Sequence, residues 1–292
     1  MKPVAFAYHR PNTIAEAVAL LGDMREEADV LAGGMTLGPM LNMRLVRPRA
    51  VVDITRIEAL RSIAIKGNMV VTGACVVQSD ALRSDLVARE LPLLALALPW
   101  VGHFQTRNRG TLGGSVAHAD PSAEIPLALV VSGGTIVLQS RRRERRVPAG
   151  KFFLGALATA RQPDEMIVAL EWPRTPSEAA CAFAEIAQRH GDFAIAAAAC
   201  CMRVDAGGFL ETLSLGLGGV EGRPVALDVR HFIGKPAAGV ANDLPFFAVA
   251  AITPMDDRAA SAEYRLALTK VLAERVFQEA LSRATKRKRW AS

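Results

Sequence analysis

The chain has 292 residues, 51% of them hydrophobic, and a formal net charge of +6. This length and composition suggest one large or two moderate domains with a sizeable core. No apolar run approaches the roughly 18 residues of a membrane span, and the opening MKPVAFAYHRP lacks a signal-peptide core, so the expectation is a soluble cytoplasmic protein with no membrane span.

Thr13 to Leu21 is predicted as a helix, with Thr13 as cap and Glu16 completing a capping box. Asp29 to Ala32 is expected as a short buried strand running into Gly33-Gly34, Leu37 to Leu45 as a helix, and Ala50 to Ile54 as a strand. Ile63 to Ile65 and Met69 to Thr72 flank Gly67-Asn68 in the manner of a β-hairpin. Ser79 to Arg89, capped by Ser79 or Asp80, and Pro92 to Val101 are expected as helices, and a second glycine pair, Gly113-Gly114, follows as a turn. Ser122 to Val131 is expected as a helix, Thr135 to Gln139 as a strand, and Ile167 to Trp172 as a strand closed by Pro173. Pro173 to Pro176 is the best linker candidate. Beyond it, Ile195 to Val204 and Thr212 to Leu217 are predicted strands around Gly207-Gly208, and Ser261 to Ala284 is a long amphipathic helix or helix pair.

Cys75, Cys181, Cys200 and Cys201 show neither C-x-x-C pairing nor histidines at metal-ligand spacing. They are expected to be buried, reduced thiols, and the chain to carry no metal cluster of its own. The charge is concentrated in Arg141 to Arg146 and Lys286 to Arg289, read as a solvated hairpin tip and a frayed basic tail, with docking to an acidic partner as the functional alternative. Aromatic residues make up only 5% of the chain and no nucleic-acid reader motif accompanies the charge, so no nucleic acid is expected as partner.

Gly33-Gly34 and Gly113-Gly114 carry most of the functional information. A Gly-Gly turn lets backbone N–H groups converge on one point, because no Cβ blocks the approach. The hydroxyls of Thr36, Thr111 and Ser115 stand beside them as further donors. Two such turns suit two phosphates, hence a pyrophosphate and a dinucleotide. Neither turn reads G-x-G-x-x-G and neither is a P-loop, which argues against a common nicotinamide domain and a standard nucleotide hydrolase.

The segment AGGMTLGPMLNMRLVRP (Ala32 to Pro48) resembles the AGG-x-[ST]-L-x-P signature of the FAD-binding medium subunits of molybdenum hydroxylases. RNRGTLGGSVAHADPSAE (Arg107 to Glu124) resembles their second signature. That group includes the flavoprotein subunits of carbon monoxide dehydrogenase and of aza-aromatic hydroxylases and the central domain of xanthine dehydrogenase. The opening Phe6 to Ala17, VPAGKFFLG (Val147 to Gly155), EMIVALEWP (Glu165 to Pro173), GDFA (Gly191 to Ala194) and SAEYR (Ser261 to Arg265) extend the resemblance over nearly the whole chain.

The resemblance implies an α+β fold: a two-subdomain FAD-binding domain of the PCMH/CO-dehydrogenase flavoprotein type over 1–175 (subdomains about 1–55 and 56–175), a smaller α+β C-terminal domain over 176–285, and a basic tail over 286–292. It implies a pyrophosphate cradle of Ala32, Gly33, Gly34, Met35, Thr36 and Leu37 with Thr111, Leu112, Gly113, Gly114 and Ser115. Glu124 takes the place of the acid on the ribityl or flavin side. Asp120 is either a flavin contact or a helix cap, Ile167 matches an apolar flavin-contacting position, and Phe193 stands where some members place a tyrosine against the ring. The stretch Phe183 to Glu185 lacks the lysine that some xanthine-dehydrogenase-type members carry there. His9, His103, His118, His190 and His231 are expected to be structural, and no residue of this chain catalytic.

By the same resemblance the chain is the FAD-binding electron-transfer subunit of an oxidoreductase. A large molybdenum subunit with the molybdenum cofactor and a small iron-sulfur subunit with [2Fe–2S] clusters are its partners, typically in a dimer of heterotrimers. Electrons leave FAD for an external electron acceptor. A self-sufficient flavin oxidase and a non-catalytic assembly factor are the rival readings.

Overall fold

The computed structural model describes residues 2–289. Its first layer is a parallel sheet in the order β1-β3-β2, from β1 (Ala7–His9), β2 (Ala28–Leu31) and β3 (Ala50–Asp53). Helix α1 (Ile14–Met24) lays Ala17, Val18 and Leu21 on it. Thr13 Oγ1 accepts from the Glu16 N–H at 3.1 Å, while Glu16 reaches one residue past the capping box, to the Asn12 N–H at 2.8 Å. β2 is less buried than expected, with only Ala28 fully covered. Helix α2 (Leu37–Asn42) ends three residues before the expected Leu45.

The second layer is an antiparallel sheet in the order β4-β5-β10-β6-β7. The hairpin β4 (Ile63–Lys66) and β5 (Met69–Gly73) is followed by α3 (Gln78–Arg83), α4 (Asp85–Glu90), α5 (Pro92–Ala97), α6 (Phe104–Arg107), α7 (Leu112–His118) and α8 (Glu124–Val131). The single helix expected over Ser79 to Arg89 breaks at Ser84, whose hydroxyl caps α4 by accepting from the Val87 N–H; neither Ser79 nor Asp80 is the cap. Next come β6 (Thr135–Gln139), β7 (Glu144–Pro148), α9 (Ala149–Phe152), the pair β8 (Phe153–Gly155) and β9 (Ala158–Thr159), and β10 (Met166–Pro173). β10 is the central strand, and Trp172 on it is fully buried with its Nε1–H donating to Thr72 Oγ1 at 3.1 Å. Helix α8 is buried on every side. A helix apolar all round has no solvent face to offer, and α8 accordingly lies between two sheets.

The third layer is an antiparallel sheet of β11 (Ala180–Ile186), β12 (Ala196–Val204), β13 (Leu210–Gly218) and β14 (Val225–Ala226), covered by α10 (Ala237–Ala250) and α11 (Ala262–Arg289). Alternation along β11 splits its side chains. Cys181 and Phe183 join the core around α8, while Ala180, Ala182 and Ala184 join the core under α10 and α11. α11 is one helix that continues through the basic run to Arg289; residues 290–292 lie outside the described residues.

Three expectations are corrected. Cys181 and Cys201 are bonded as a disulfide, not reduced; they are direct cross-strand partners with Cα atoms 4.2 Å apart, while Cys75 and Cys200 are free and buried. The arginine run is also more than a solvated tip. Arg141 donates to Ala19 O and pairs with Asp23, both at 2.8 Å; Arg145 holds Glu165 by two bonds of 2.9 and 2.7 Å; and Arg146 pairs with Glu171 at 3.1 Å. Nor is Pro173 to Pro176 a free tether, because Arg174 pairs with Glu90 at 2.7 Å and the Thr175 N–H donates to Glu90 O at 2.9 Å. No helix among the described residues is long and apolar enough to cross a membrane.

Candidate functional site

The two glycine segments touch. A Cβ placed on Gly33 would lie 2.8 Å from the Arg109 carbonyl carbon and closer still to its oxygen, so only glycine lets the loop after β2 lie against the Arg109-Gly110 backbone. Gly34 adopts φ +73°, turning the chain into α2. Among the described residues, the N–H groups of Gly33, Gly34, Met35 and Thr36 donate to no protein acceptor. Four such donors lie free where two chain segments meet, an arrangement of the kind that can bind an anion.

The second glycine pair behaves differently. Gly113 and Gly114 are not a turn but lie in the first turn of α7. The Leu112 N–H donates to Val76 O at 2.9 Å, Gly113 to Ala74 O at 3.0 Å, Gly114 to Thr111 Oγ1 at 3.0 Å and Ser115 to Thr111 O at 3.1 Å. These four N–H groups are consumed within the protein. Gly113 is needed for packing, since a Cβ there would lie 2.6 Å from the Ala74 Cβ. The Thr111 hydroxyl, expected as a phosphate donor, spends its acceptor capacity capping α7. Thr111→Val should therefore cost about 1 kcal/mol while Thr111→Ser stays near neutral. Urea unfolding checks this, and an unshifted midpoint for the valine variant would remove the cap from the account. The Ser115 hydroxyl stays half-buried, and Thr36 is exposed.

Asp120 Oδ1 accepts from the Ser122 N–H at 2.8 Å, which fixes the turn before α8; the N-cap position of that helix belongs to Ala123. Glu124 opens α8 and is buried, at 7% exposure. Burial pushes its carboxyl up to about 7; the helix-start N–H and the Arg107 charge pull down, the Asp120 charge up. Glu185 is 5% exposed and unpaired at Oε2. Burial, aided by the Glu124 charge, pushes it up to about 8. Ile167 is buried in the core, and its neighbour Val168 accepts from the Ala74 N–H at 3.0 Å, behind Gly113.

Phe193 is 73% exposed at the end of a loop that docks on the approach to α6. There Trp100 stacks on His190 with centroids 5.7 Å apart, and the His103 ring lies against Gly191. Asp192 faces Arg189 at 3.6 Å. Arg107, which opens the second signature, donates to the carbonyls of Val101 and Gly102 at 2.8 Å and so shapes the loop ahead of α6. Sequence reasoning missed this role, and it missed Glu185 as a buried acid; an acidic residue inside the apolar run Ala180–Ile186 was the available signal.

Three sheets with helices packed on them, and a glycine loop whose N–H groups are free, define an α+β protein with the features of a nucleotide-binding fold. The model of the FAD-binding domain in molybdopterin dehydrogenase matches residues 4–175, and that of the CO dehydrogenase flavoprotein C-terminal domain matches residues 181–280. The chain is 34% identical over 290 residues to the carbon monoxide dehydrogenase medium chain of Hydrogenophaga pseudoflava, covering 97% of this chain and 99% of that one. It is 32% identical over 287 residues to the 6-hydroxypseudooxynicotine dehydrogenase complex subunit alpha of Paenarthrobacter nicotinovorans, covering 97% of each. Among solved structures, a chain of carbon monoxide dehydrogenase from Hydrogenophaga pseudoflava superposes with TM-score 0.92 at 33% identity, covering 97% and 99%. A chain of quinoline 2-oxidoreductase from Pseudomonas putida 86 gives 0.91 at 33% identity, with the same coverage. The chain belongs to the family of FAD-binding medium subunits of molybdenum hydroxylases, and it is an oxidoreductase subunit with an electron-transfer role.

Proposed function

We propose that the free N–H groups of Gly33, Gly34, Met35 and Thr36 hold the FAD pyrophosphate, with Ala32 and Leu37 flanking the loop. The observation that carries this is the contact of Gly33 with Arg109-Gly110, which closes the open loop against a second chain segment. Leu112, Gly113 and Gly114 seat α7 behind it, and Ser115 offers a hydroxyl beside Thr111, which caps that helix. Asp120 fixes the turn leading to Glu124, whose carboxyl stands on the flavin side. Ile167 supports the wall from the core, and Phe193 is free to cover an exposed part of the flavin. FAD, when bound, supplies a centre that takes electrons singly and releases them singly or in pairs.

We further propose that the electrons come from [2Fe–2S] clusters on a small iron-sulfur subunit, that a large molybdenum subunit completes a heterotrimer which pairs into a dimer, and that an external acceptor receives the electrons. The compartment we propose is the cytoplasm. The Cys181–Cys201 bond bears on this, since disulfides are rare in reducing compartments. Thiol titration of the denatured protein purified from its own cells distinguishes a bonded pair from four free thiols.

A visible spectrum of the purified complex, with acid release and chromatography against FAD and FMN, tests the function. Stoichiometric FAD is expected. A colourless complex that also fails to take up added FAD would overturn the cradle assignment and promote a non-catalytic assembly role.

A further inference from the structure

Glu124 and Glu185 come from different layers, α8 and the third sheet, which pack together at one seam. Glu185 lies on the face of β11 that carries Cys181 and Phe183, turned toward the core around α8. Its register partner Ala197 belongs to that core. Helix α8 packs on the same sheet, where a Cβ on Gly218 would lie 3.1 Å from Leu127 and the Gly219 N–H donates to Pro121 O at 2.7 Å. Both residues are more than nine-tenths buried, and burial is the main cause that raises each carboxyl, with neighbouring charge second to it.

No cation pairs with either among the described residues. Arg107, which acts on Glu124 from the α6 side, directs its guanidinium to the carbonyls of Val101 and Gly102. Asp120 adds negative charge beside Glu124. From α11, Arg265 is bound to Ile195, Gly219 and Asp257, and Arg283 to the Cys181 carbonyl and Glu279. α5, which packs on β11, has the uncharged sequence PLLALA. On β12, Arg203 pairs with Glu211 at the far end. Oε2 of Glu185 has no hydrogen-bond partner among the described residues. Two ionised carboxylates in a dry seam without a counterion are strongly disfavoured, so at least one remains protonated.

We propose that at least one of Glu124 and Glu185 stays protonated in the folded protein, and that the neutral acid so kept is a hydrogen-bond donor to FAD. This rests on the FAD reading above. It also gives a role to the position where the resemblance leads one to look for a lysine: a protonated carboxyl donates without carrying charge.

The sign of the pH dependence follows from burial. An acid whose folded value lies above its ordinary 4.5 contributes stability that is complete below 4.5 and is lost as pH rises through the folded value. The FAD-free chain should lose stability between about pH 4.5 and 8, and Glu185→Gln should melt higher than the parent at pH 8 but not near pH 5.

The test combines infrared spectroscopy of the glutamate-labelled complex with FAD titrations from pH 6 to 9. The parent should show a protonated glutamate carboxyl at pH 7 with FAD bound. In Glu185→Gln that carboxyl should titrate at lower pH, because Glu124 has lost its like-charged neighbour. FAD dissociation constants should rise by up to about tenfold per pH unit above neutrality in the parent and stay flat in Glu185→Gln, whose amide donates at every pH. Glutamates all ionised at pH 7 with FAD bound, or identical pH slopes in the parent, Glu185→Gln and Glu124→Gln, would overturn the proposal. A complex that takes up no FAD at any pH yet retains the protonated carboxyl would overturn the donor role through the failure of the FAD reading itself. Circular dichroism confirms that each variant is folded before it is compared.

Discussion

Gly33→Ala should yield a protein that binds no FAD and unfolds on the order of 10 °C below the parent. The new Cβ would sit 2.8 Å from the Arg109 carbonyl carbon and 2.9 Å from the Gly110 Cα. These are backbone atoms, held in turn by the Gly110 N–H to Thr106 O bond of 2.7 Å and the Gln78 N–H to Gly110 O bond of 2.8 Å. Nothing can rotate aside, so the loop after β2 must lift off the second segment and take its free N–H groups with it. Overpacking of this kind costs roughly 3 kcal/mol, against the gain of about 0.4–1 kcal/mol that Gly→Ala brings through the unfolded chain. Gly239→Ala in α10 is the control, because a Cβ there meets nothing within 4 Å; it should stabilise by about 0.5–1 kcal/mol. Differential scanning calorimetry and flavin content read both variants. A Gly33→Ala protein with parental flavin content and melting temperature would show that the two segments are free to separate without loss of the site.

Arg265→Met should destabilise the C-terminal domain by roughly 2–4 kcal/mol and also weaken FAD binding. Arg265 is 1% exposed, and its guanidinium donates to the carbonyls of Ile195 and Gly219 and, at 2.7 Å, to Asp257. Methionine fills much of the volume but leaves two carbonyls without a donor in a dry site. The effect reaches the FAD site because both carbonyls belong to segments that build it. Ile195 lies two residues after Phe193, and the Gly219 N–H holds Pro121 at 2.7 Å, just ahead of Glu124. Arg265→Lys should recover only part of the loss, since one ammonium cannot present the planar fork to three acceptors. Guanidinium unfolding and FAD off-rates measure the two effects. Parental off-rates in a destabilised Arg265→Met protein would confine the residue to holding the C-terminal domain together.

The resemblance to the flavoprotein family, the α+β class and the FAD cofactor were legible in the chain, because its signatures are short and local. So were strands such as Thr135–Gln139 and the hairpin around Gly67-Asn68. β11 was not predicted, since an alanine-rich strand covered on both faces shows no polar alternation. α10 was not predicted either, as Pro245 falls inside its sequence, where a proline ordinarily argues against a helix. The helix break at Ser84 was overlooked because serine also occurs within helices, and its capping role depends on the bond to Val87.

The residue order by itself determined the family and the positions of its glycines, because both are written in contiguous stretches whose backbone needs are local. Only the tertiary structure decided which glycine segment keeps free N–H groups. The donors at Leu112 and Gly113 are spent on the carbonyls of Val76 and Ala74, far back in the chain, whereas those at Gly33 to Thr36 meet no acceptor among the described residues. It also decided that Cys181 faces Cys201, through strand register, and that Glu124 and Glu185 lie in one seam. Desolvation and like-charge repulsion act through space, so the state of that carboxyl pair is set where α8 and the third sheet close around it.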